Sequence, residues 1–377
     1  MPFVMVLTLL ILALVLYNAR GWPKVREDPE GASSCVSVLI PARNEEHTLP
    51  VCLESLLLQG DAVCEVLVYD DSSTDRTPDI VRDFSVRLDR VRLLRPADLP
   101  EGWYGKTFAC QQLAQKAQGD WLLFLDADTR LAPCAIGRML HEVHEREITF
   151  LSCWPGIDMR TFWEKALMPM LNFVVFTLFP APLSCKMELP ALGLAHGACL
   201  LIHREEYERM GGHRRVRSEI FEDTALARVW REEGMRGLCL DGQDVVRVRM
   251  YESFSSIWRG FQKLVYPAFQ HAFSFWLFLF FHATLFLFPF LWLAHQAGIR
   301  HLTYSSLVAV TSILLMRAVQ AWQFRYPLWS IFFHPLATLA LIAVGLSSWY
   351  RCMSGQGVSW KGRIYRGSQG EPNADQK

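Results

Sequence analysis

A chain of 377 residues can hold one sizeable globular domain with further segments attached. Its 38 Lys and Arg balance 38 Asp and Glu, which excludes a polyanion such as nucleic acid as the expected partner. Hydrophobic residues are 51% of the total but crowd the two ends, so the chain reads as a polar-faced domain flanked by membrane segments.

Residues 3–17 are uncharged and apolar, about 22 Å long as a helix at about 1.5 Å per residue. No basic n-region precedes them and no A-x-A-like site follows, so they read as an uncleaved anchor over residues 1–20. Arg20, Lys24 and Arg26 follow at once and place that flank in the cytoplasm, at the inner membrane.

A central domain is expected over 33–250. Cys35–Ile40 is a buried-type strand closed by Pro41. Leu49, Cys52, Leu53, Leu56 and Leu57 give helical spacing within 45–58. Glu65–Tyr69 is a second strand, stopping at Asp70-Asp71. Thr77-Pro78 opens a second helix. Val91–Leu94 is a third strand, 107–118 a third helix and Trp121–Leu125 a fourth strand. Such alternation predicts an α/β domain with a mostly parallel sheet, whose ligands sit at the carboxyl ends of the strands.

The candidate chemistry stands at those ends. Arg43, Asn44 and Glu45 follow the first strand, Asp70 and Asp71 the second, Asp126 and Asp128 the fourth. Two carboxylates around Ala127 suit a hard divalent ion, Mg²⁺ or Mn²⁺, carried in with a diphosphate, although acids at a strand end also form ordinary turns. Gly105-Lys106, opening a helix, is a candidate phosphate cradle. Neither a P-loop nor a G-x-G-x-x-G stretch occurs, so no Rossmann dinucleotide site is expected. Glu222 and Asp223 precede a predicted helix over 225–233, as caps or as the general base that takes a proton from an attacking hydroxyl. His213–Arg217 reads as a solvated loop or as a contact for anionic headgroups. His196 and Gly197, in a small-residue segment, are acceptor-side candidates.

Residues 167–183, with Pro169, Pro180 and Pro182, read equally as an interfacial acceptor segment or as a buried helix. After an interfacial stretch at 251–272, apolar runs at 273–294, 305–322 and 328–350 are each long enough to span, and 351–377 is the tail. Arg317 and Gln320 make the middle run the weakest. Anchor plus three spans puts the tail outside, whereas Arg351, Lys361, Arg363 and Arg366 favour inside. Phe273, Phe275, Trp276, Phe278, Phe280 and Phe281 suit lipid or a polyene. Ten cysteines form no C-x-x-C pair; Cys35, Cys52, Cys64, Cys110, Cys134, Cys153, Cys185, Cys199 and Cys239 read as reduced core residues without disulfides.

The ordered motifs Pro41-Ala-Arg43-Asn44-Glu45, Asp70-Asp71-Ser-Ser, Gly105-Lys106, Asp126-Ala-Asp128 and Glu222-Asp223 resemble the family 2 glycosyltransferases of the glycosyltransferase-A fold. The resemblance covers roughly 35–270. Leu99–Ala109 and the Trp360–Tyr365 tail are similar to the membrane-bound branch that glycosylates carotenoids and hopanoid-type lipids. It implies a nucleotide-sugar donor, expected as a UDP-sugar, and an inverting single transfer to a membrane lipid acceptor. Polyprenyl phosphate, a ceramide-like lipid or an envelope glycan are the alternative acceptors. Carried over residue by residue, Pro41, Arg43, Asn44, Glu45, Asp70 and Asp71 line the nucleotide pocket. Gly105 and Lys106 meet the diphosphate, Asp126 meets ribose and metal, Asp128 meets metal, and Asp223, beside Glu222, is the base. The Q-x-x-R-W signature of processive relatives is missing. The region reads Trp258-Arg-Gly-Phe-Gln262-Lys263, from which Trp258 and Lys263 are carried over as acceptor-side residues.

Overall fold

The computed structural model describes residues 1–26, 34–269, 271–354, 358–360 and 363–365. Lys361, Gly362 and Arg366 of the tail motifs therefore lie outside the described residues. In chain order the elements are α1 (Pro2–Gly21), β1 (Val36–Ala42), α2 (Leu49–Leu56), β2 (Val63–Asp70), α3 (Thr77–Arg87), β3 (Val91–Leu94), α4 (Gly105–Lys116), β4 (Trp121–Leu125) and β5 (Thr129–Leu131). There follow α5 (Ala135–Glu145), β6 (Phe150–Trp154), β7 (Gly156–Ile157), α6 (Phe162–Leu167), α7 (Pro169–Leu178), α8 (Ala181–Ser184), β8 (Cys199–His203), α9 (Arg204–Met210), α10 (Glu222–Glu232), β9 (Gly237–Asp241) and β10 (Val246–Val248). The chain ends in α11 (Phe254–Leu264), α12 (Ala272–His282), α13 (Phe288–Gly298), α14 (Tyr304–Gln323), α15 (His334–Met353) and two short strands, Val358–Trp360 and Arg363–Tyr365.

Two compact units result. One takes residues 23–158 and 183–250; the other takes 1–22, 159–182 and 251–377. Residues 159–182, read from the sequence as lying inside the central domain, thus cluster with the helical unit. The domain expected over 33–250 is interrupted.

The first unit is built on a seven-stranded sheet in the order β3-β2-β1-β4-β8-β6-β9. All neighbours are parallel except β8, which runs antiparallel to both β4 and β6. β4 is buried at every position, as a fully apolar Trp-Leu-Leu-Phe-Leu run requires when helices cover both faces. β1 continues through Pro41 instead of closing there. Its pairing with β4 ends at Leu39, so the missing Pro41 N–H falls on an unpaired edge. Cys35 and Cys64 are joined by a disulfide, contrary to the all-reduced reading. They precede and begin neighbouring parallel strands, which brings their Cα atoms to 5.5 Å. Cys134 is exposed, because it caps α5 in a left-handed conformation (φ 57°) and does not enter the core.

Arg231 is buried and fixes the chain between the sheet and the 184–189 loop. It donates to the carbonyls of Met187 (2.8 Å), Ser184 (2.8 Å) and Gly237 (2.9 Å).

In the second unit, α1 runs for 20 residues, about 30 Å, past both ends of the uncharged run at 3–17. Asn18, near its carboxyl end, ties it to α7. Its Nδ2 donates to the carbonyls of Phe176 (3.0 Å) and Phe179 (2.8 Å), and its Oδ1 accepts from the Ala181 N–H (2.9 Å). One amide side chain thereby satisfies the exposed carboxyl end of α7. Among the described residues four helices are long and apolar enough to cross a membrane: Pro2–Gly21, Ala272–Gly298, Tyr304–Gln323 and Leu328–Met353. The third includes the run weakened by Arg317 and Gln320, both of which turn inward and are buried. Residues 167–183 contain α7, whose Pro169, Met170, Asn172, Phe173, Phe176 and Thr177 are buried. One face of that helix is buried, as the buried-helix reading has it, while Leu178 is exposed.

Replacing Asn18 with Leu leaves two carbonyls and an N–H without their partner. The expected loss is about 1–3 kcal/mol, read as a lower unfolding temperature of the detergent-solubilised full chain. Asn18→Gln, with the same polar group one methylene further out, should lie between Leu and wild type.

Candidate active site

Lys106 occupies the first turn of α4, and the surrounding chain clasps that turn. The Tyr104 N–H and the Thr107 hydroxyl both donate to the Arg217 carbonyl, each at 2.8 Å. The 213–217 stretch is therefore neither wholly solvated nor free. Arg214, Arg215 and Arg217 are exposed, while His213 is buried and its Nδ1 lies 2.7 Å from the Tyr207 hydroxyl. In the loop before α4 it is Gly102, at φ 78°, that needs glycine's conformational freedom.

The Lys106 ammonium lies 2.7 Å from Asp126 Oδ1 and 2.8 Å from Glu222 Oε1. It links the end of β4 to the start of α10. Burial alone would make the ammonium less basic, but Asp126 and Glu222 hold it well above the ordinary lysine range. Glu222 and Asp223 begin α10, where the helix dipole favours negative charge. Their shifts diverge. Burial raises Glu222, yet the charge and hydrogen bond of Lys106 outweigh it and keep the carboxyl below its usual range. Asp223 is pushed up to about 7, first by burial and then by the charge of Glu222.

Gly197 sits where these groups meet. A Cβ there would lie 3.1 Å from Lys106 Nζ, 3.3 Å from Asp223 Oδ2 and 3.6 Å from Glu222 Oε1. The loop carrying it is pinned on both sides. The His196 N–H donates to Ser152 Oγ at 2.9 Å, and Thr224 Oγ1 donates to the Ala195 carbonyl at 3.2 Å. His196 accepts the Ala198 N–H at Nδ1 (3.2 Å), packs its ring on Trp154, and is driven to about 4 by burial and by Lys106. It is a neutral imidazole near neutral pH.

The other strand ends converge on the same region. The buried Cys52 thiol is pushed up by burial and then by the charges of Asp128, Asp126 and Glu45, three acids near enough to act on it. Glu45 accepts from the Thr48 hydroxyl at 2.8 Å, and Asn44 stands at φ 53° with its Oδ1 accepting the Thr74 N–H (2.8 Å). Arg43 reaches across from β1 to the Asp71 carbonyl and lies 3.8 Å from its carboxylate. Asp70 is buried and accepts the Ser73 N–H at 3.2 Å, which closes its own loop. Pro41 is half-buried within β1. Trp258 and Lys263 belong to α11 of the helical unit, and so lie outside the unit that carries the acid cluster.

Asp126 and Asp128 supply carboxylate oxygens of the kind a hard divalent ion takes. Among the described residues no group of three or more His, Cys, Asp or Glu could complete such a site. The donor set fits an ion whose remaining ligands come with a diphosphate.

The sheet is mostly parallel and flanked by helices, as in the GT-A fold of glycosyltransferases, and acids, a lysine and a helix-borne carboxylate pair stand at its carboxyl edge. Residues 37–211 match the Glycosyl transferase family 2 model. The chain is similar to the 4,4'-diaponeurosporenoate glycosyltransferase of Staphylococcus haemolyticus, 29% identical over 260 residues and 67% of each chain. Its likeness to the Staphylococcus aureus enzyme of that name is 27% over 343 residues and 88% of each chain. Among solved structures it is similar in fold to the mannosyltransferase PcManGT from Pyrobaculum calidifontis, in complex with GDP-Man and Mn²⁺. The TM-score is 0.54 at 20% identity, covering 92% of this chain and 99% of the other.

The role of Gly197 is testable through its missing side chain. In Gly197→Ala the new Cβ requires the tips of Lys106 and Asp223 to give by a few tenths of an ångström, which disturbs their placement without touching the backbone. Sugar transfer should fall about 10²-fold, with the unfolding temperature of the full chain nearly unchanged.

Proposed function

We propose that the enzyme moves one sugar from a nucleoside-diphosphate sugar to a membrane lipid acceptor of polyisoprenoid type, with inversion at the anomeric carbon. The observation that carries this reading is the placement of Lys106 between Asp126 and Glu222, with Asp223 adjacent. A cationic group suited to a diphosphate and a carboxylate suited to a proton stand within one small site. The relatives named 4,4'-diaponeurosporenoate glycosyltransferase support the acceptor class. The four apolar helices support a membrane setting, with the catalytic unit on the cytoplasmic side marked by Arg20, Lys24 and Arg26.

In the proposed reaction the acceptor oxygen attacks the anomeric carbon as the bond to the diphosphate breaks. The acceptor proton passes to the Asp223 carboxylate, and the diphosphate leaves with the negative charge. Lys106 faces that charge, in a half-buried setting where it is worth more than in water. Arg43, Asn44, Glu45, Asp70 and Asp71 form the nucleotide side, and Pro41 and Gly105 shape its walls. Asp126 and Asp128 would hold Mg²⁺ or Mn²⁺, which supplies further charge neutralisation at the diphosphate. Glu222 stays ionised and keeps Lys106 in place. His196 and Gly197 border the space left for the sugar and acceptor, and Trp258 and Lys263 are assigned to the acceptor on the membrane side.

A hydroxyl acceptor needs a base, whereas a carboxylic acid is already ionised near neutral pH. Asp223 must be ionised to act, so transfer to a hydroxyl should rise about tenfold per pH unit below its value of about 7 and level off above it. Asp223→Asn should cost a hydroxyl acceptor about 10²–10⁴-fold and a carboxylate acceptor far less; equal losses would refute the base assignment.

The metal assignment has its own measurement. Mn²⁺-dependent hydrolysis or transfer from UDP-glucose and GDP-mannose, assayed side by side, should lose its metal dependence in Asp128→Ala. Unchanged Mn²⁺ titration in that variant would remove Asp128 from the metal site.

A further inference from the structure

The four long apolar helices contain no Asp or Glu, yet one of them buries an arginine. Arg317 on α14 is 2% exposed, and Gln320, one turn further on, is 1% exposed. Among the described residues no carboxylate lies within ion-pair distance of the guanidinium. Its Nη1 donates to the Pro169 carbonyl at 3.2 Å and its Nη2, weakly, to the Ser330 carbonyl at 3.4 Å. Among the described residues its Nε has no partner, nor do the two amide atoms of Gln320 or Ser330 Oγ. Arg317 and His334 meet at Phe173, Arg317 touches the Ser330 backbone, and Gln320 stands one turn along α14 from Arg317. The Arg317 guanidinium lies 5.7 Å from the Phe173 ring centre, and the His334 ring lies 4.7 Å from the same ring. Ser330 is already at Arg317.

Burying a cation without a counter-charge is costly, and each unmet polar atom adds to the cost. Asn18 shows that this unit can satisfy a buried amide completely where the role is structural. The Arg317 cluster is different: its unused groups are mostly donors, centred on a fixed positive charge. Intramembrane ionisable groups pair with one another or with backbone carbonyls and mark substrate or ion pathways, and basic sites between membrane helices bind lipid headgroups.

We infer that the cluster of Arg317, Gln320, Ser330 and His334 is a binding site for the oxyanion of a lipid, a carboxylate or a phosphate on an apolar chain. Such an anion would accept from Arg317 Nε, the Gln320 amide and the Ser330 hydroxyl, and the surrounding rings would take the start of the chain. The site is built from the helical unit alone. Its test reads binding, so it stands or falls separately from the transfer reaction proposed above.

The test uses the full chain, delipidated in neutral detergent and incubated with palmitate, dioleoyl phosphatidate or dioleoylglycerol. Retained lipid is counted by native mass spectrometry, and the unfolding temperature is followed in parallel. Expected is retention of at least one of the two anions at tenfold or more over dioleoylglycerol, with a rise of several degrees in unfolding temperature. Palmitate alone identifies a carboxylate, phosphatidate alone a phosphate, and both together the shared oxyanion chemistry. Arg317→Gln should abolish the preference. Gln320→Leu keeps the charge and the helix and should weaken retention about tenfold, which covers the case in which the arginine variant does not fold. Equal retention of all three lipids by wild type, or an anion preference unchanged in Gln320→Leu and in any folded Arg317→Gln, would overturn the site.

Discussion

The arrangement of the catalytic unit depends on the ammonium of Lys106. Four carboxylates, Asp126, Asp128, Glu222 and Asp223, come from a strand end and a helix start nearly a hundred residues apart in sequence. Carboxylates repel, and a site that gathers them needs a cation as a fixed part of its structure. Lys106 fills that need at 2.7 and 2.8 Å, and its own position is set by the Arg217 carbonyl through Tyr104 and Thr107. The sheet brings the groups close, and the lysine lets them stay.

What could be read from the sequence followed from locality. β3 and β4 run over the residues their apolar patterns mark, and the acids at the ends of β1, β2 and β4 lie where a parallel sheet puts its ligands. β6, β8 and β9 were not foreseen, because their short apolar runs carry no motif and their pairing is settled by contacts far apart in the chain. The antiparallel insertion of β8 brings His196 and Gly197 to the end of β4. The disulfide was missed for a related reason. Compartment-based reasoning argues against one, whereas the register of β1 against β2 brings Cys35 and Cys64 together. The clasp at Arg217 uses a backbone carbonyl and so leaves no residue-type signal at all.

Polar residues in the helical unit fall into two kinds. Asn18 satisfies three backbone groups and is a joint between α1 and the end of α7. Arg317 is also a joint, through Pro169 and Ser330, but only part of its donor set is used. In the sequence both look like flaws in an apolar run; only the partner count separates a structural tie from a site with capacity left over. A hydropathy reading that marks down the Arg317 run treats as weakness what the fold has turned inward.

The same lysine also divides the labour of two adjacent acids. Glu222 and Asp223 are chemically similar and neighbours on one helix turn, yet one is held ionised and the other is raised to about 7. The difference follows from who touches the ammonium. Glu222 has the contact and keeps its charge; Asp223 feels burial and the charge of Glu222, and so becomes the more basic of the two. A pair pushed apart in this way suits general-base chemistry near neutral pH, since the group with the higher value can both lose and regain a proton there. Under the proposed reaction, positioning the leaving group and tuning the base are one electrostatic arrangement. Moving Lys106 would disturb both at once, and a Cβ at Gly197 would stand only 3.1 Å from its ammonium.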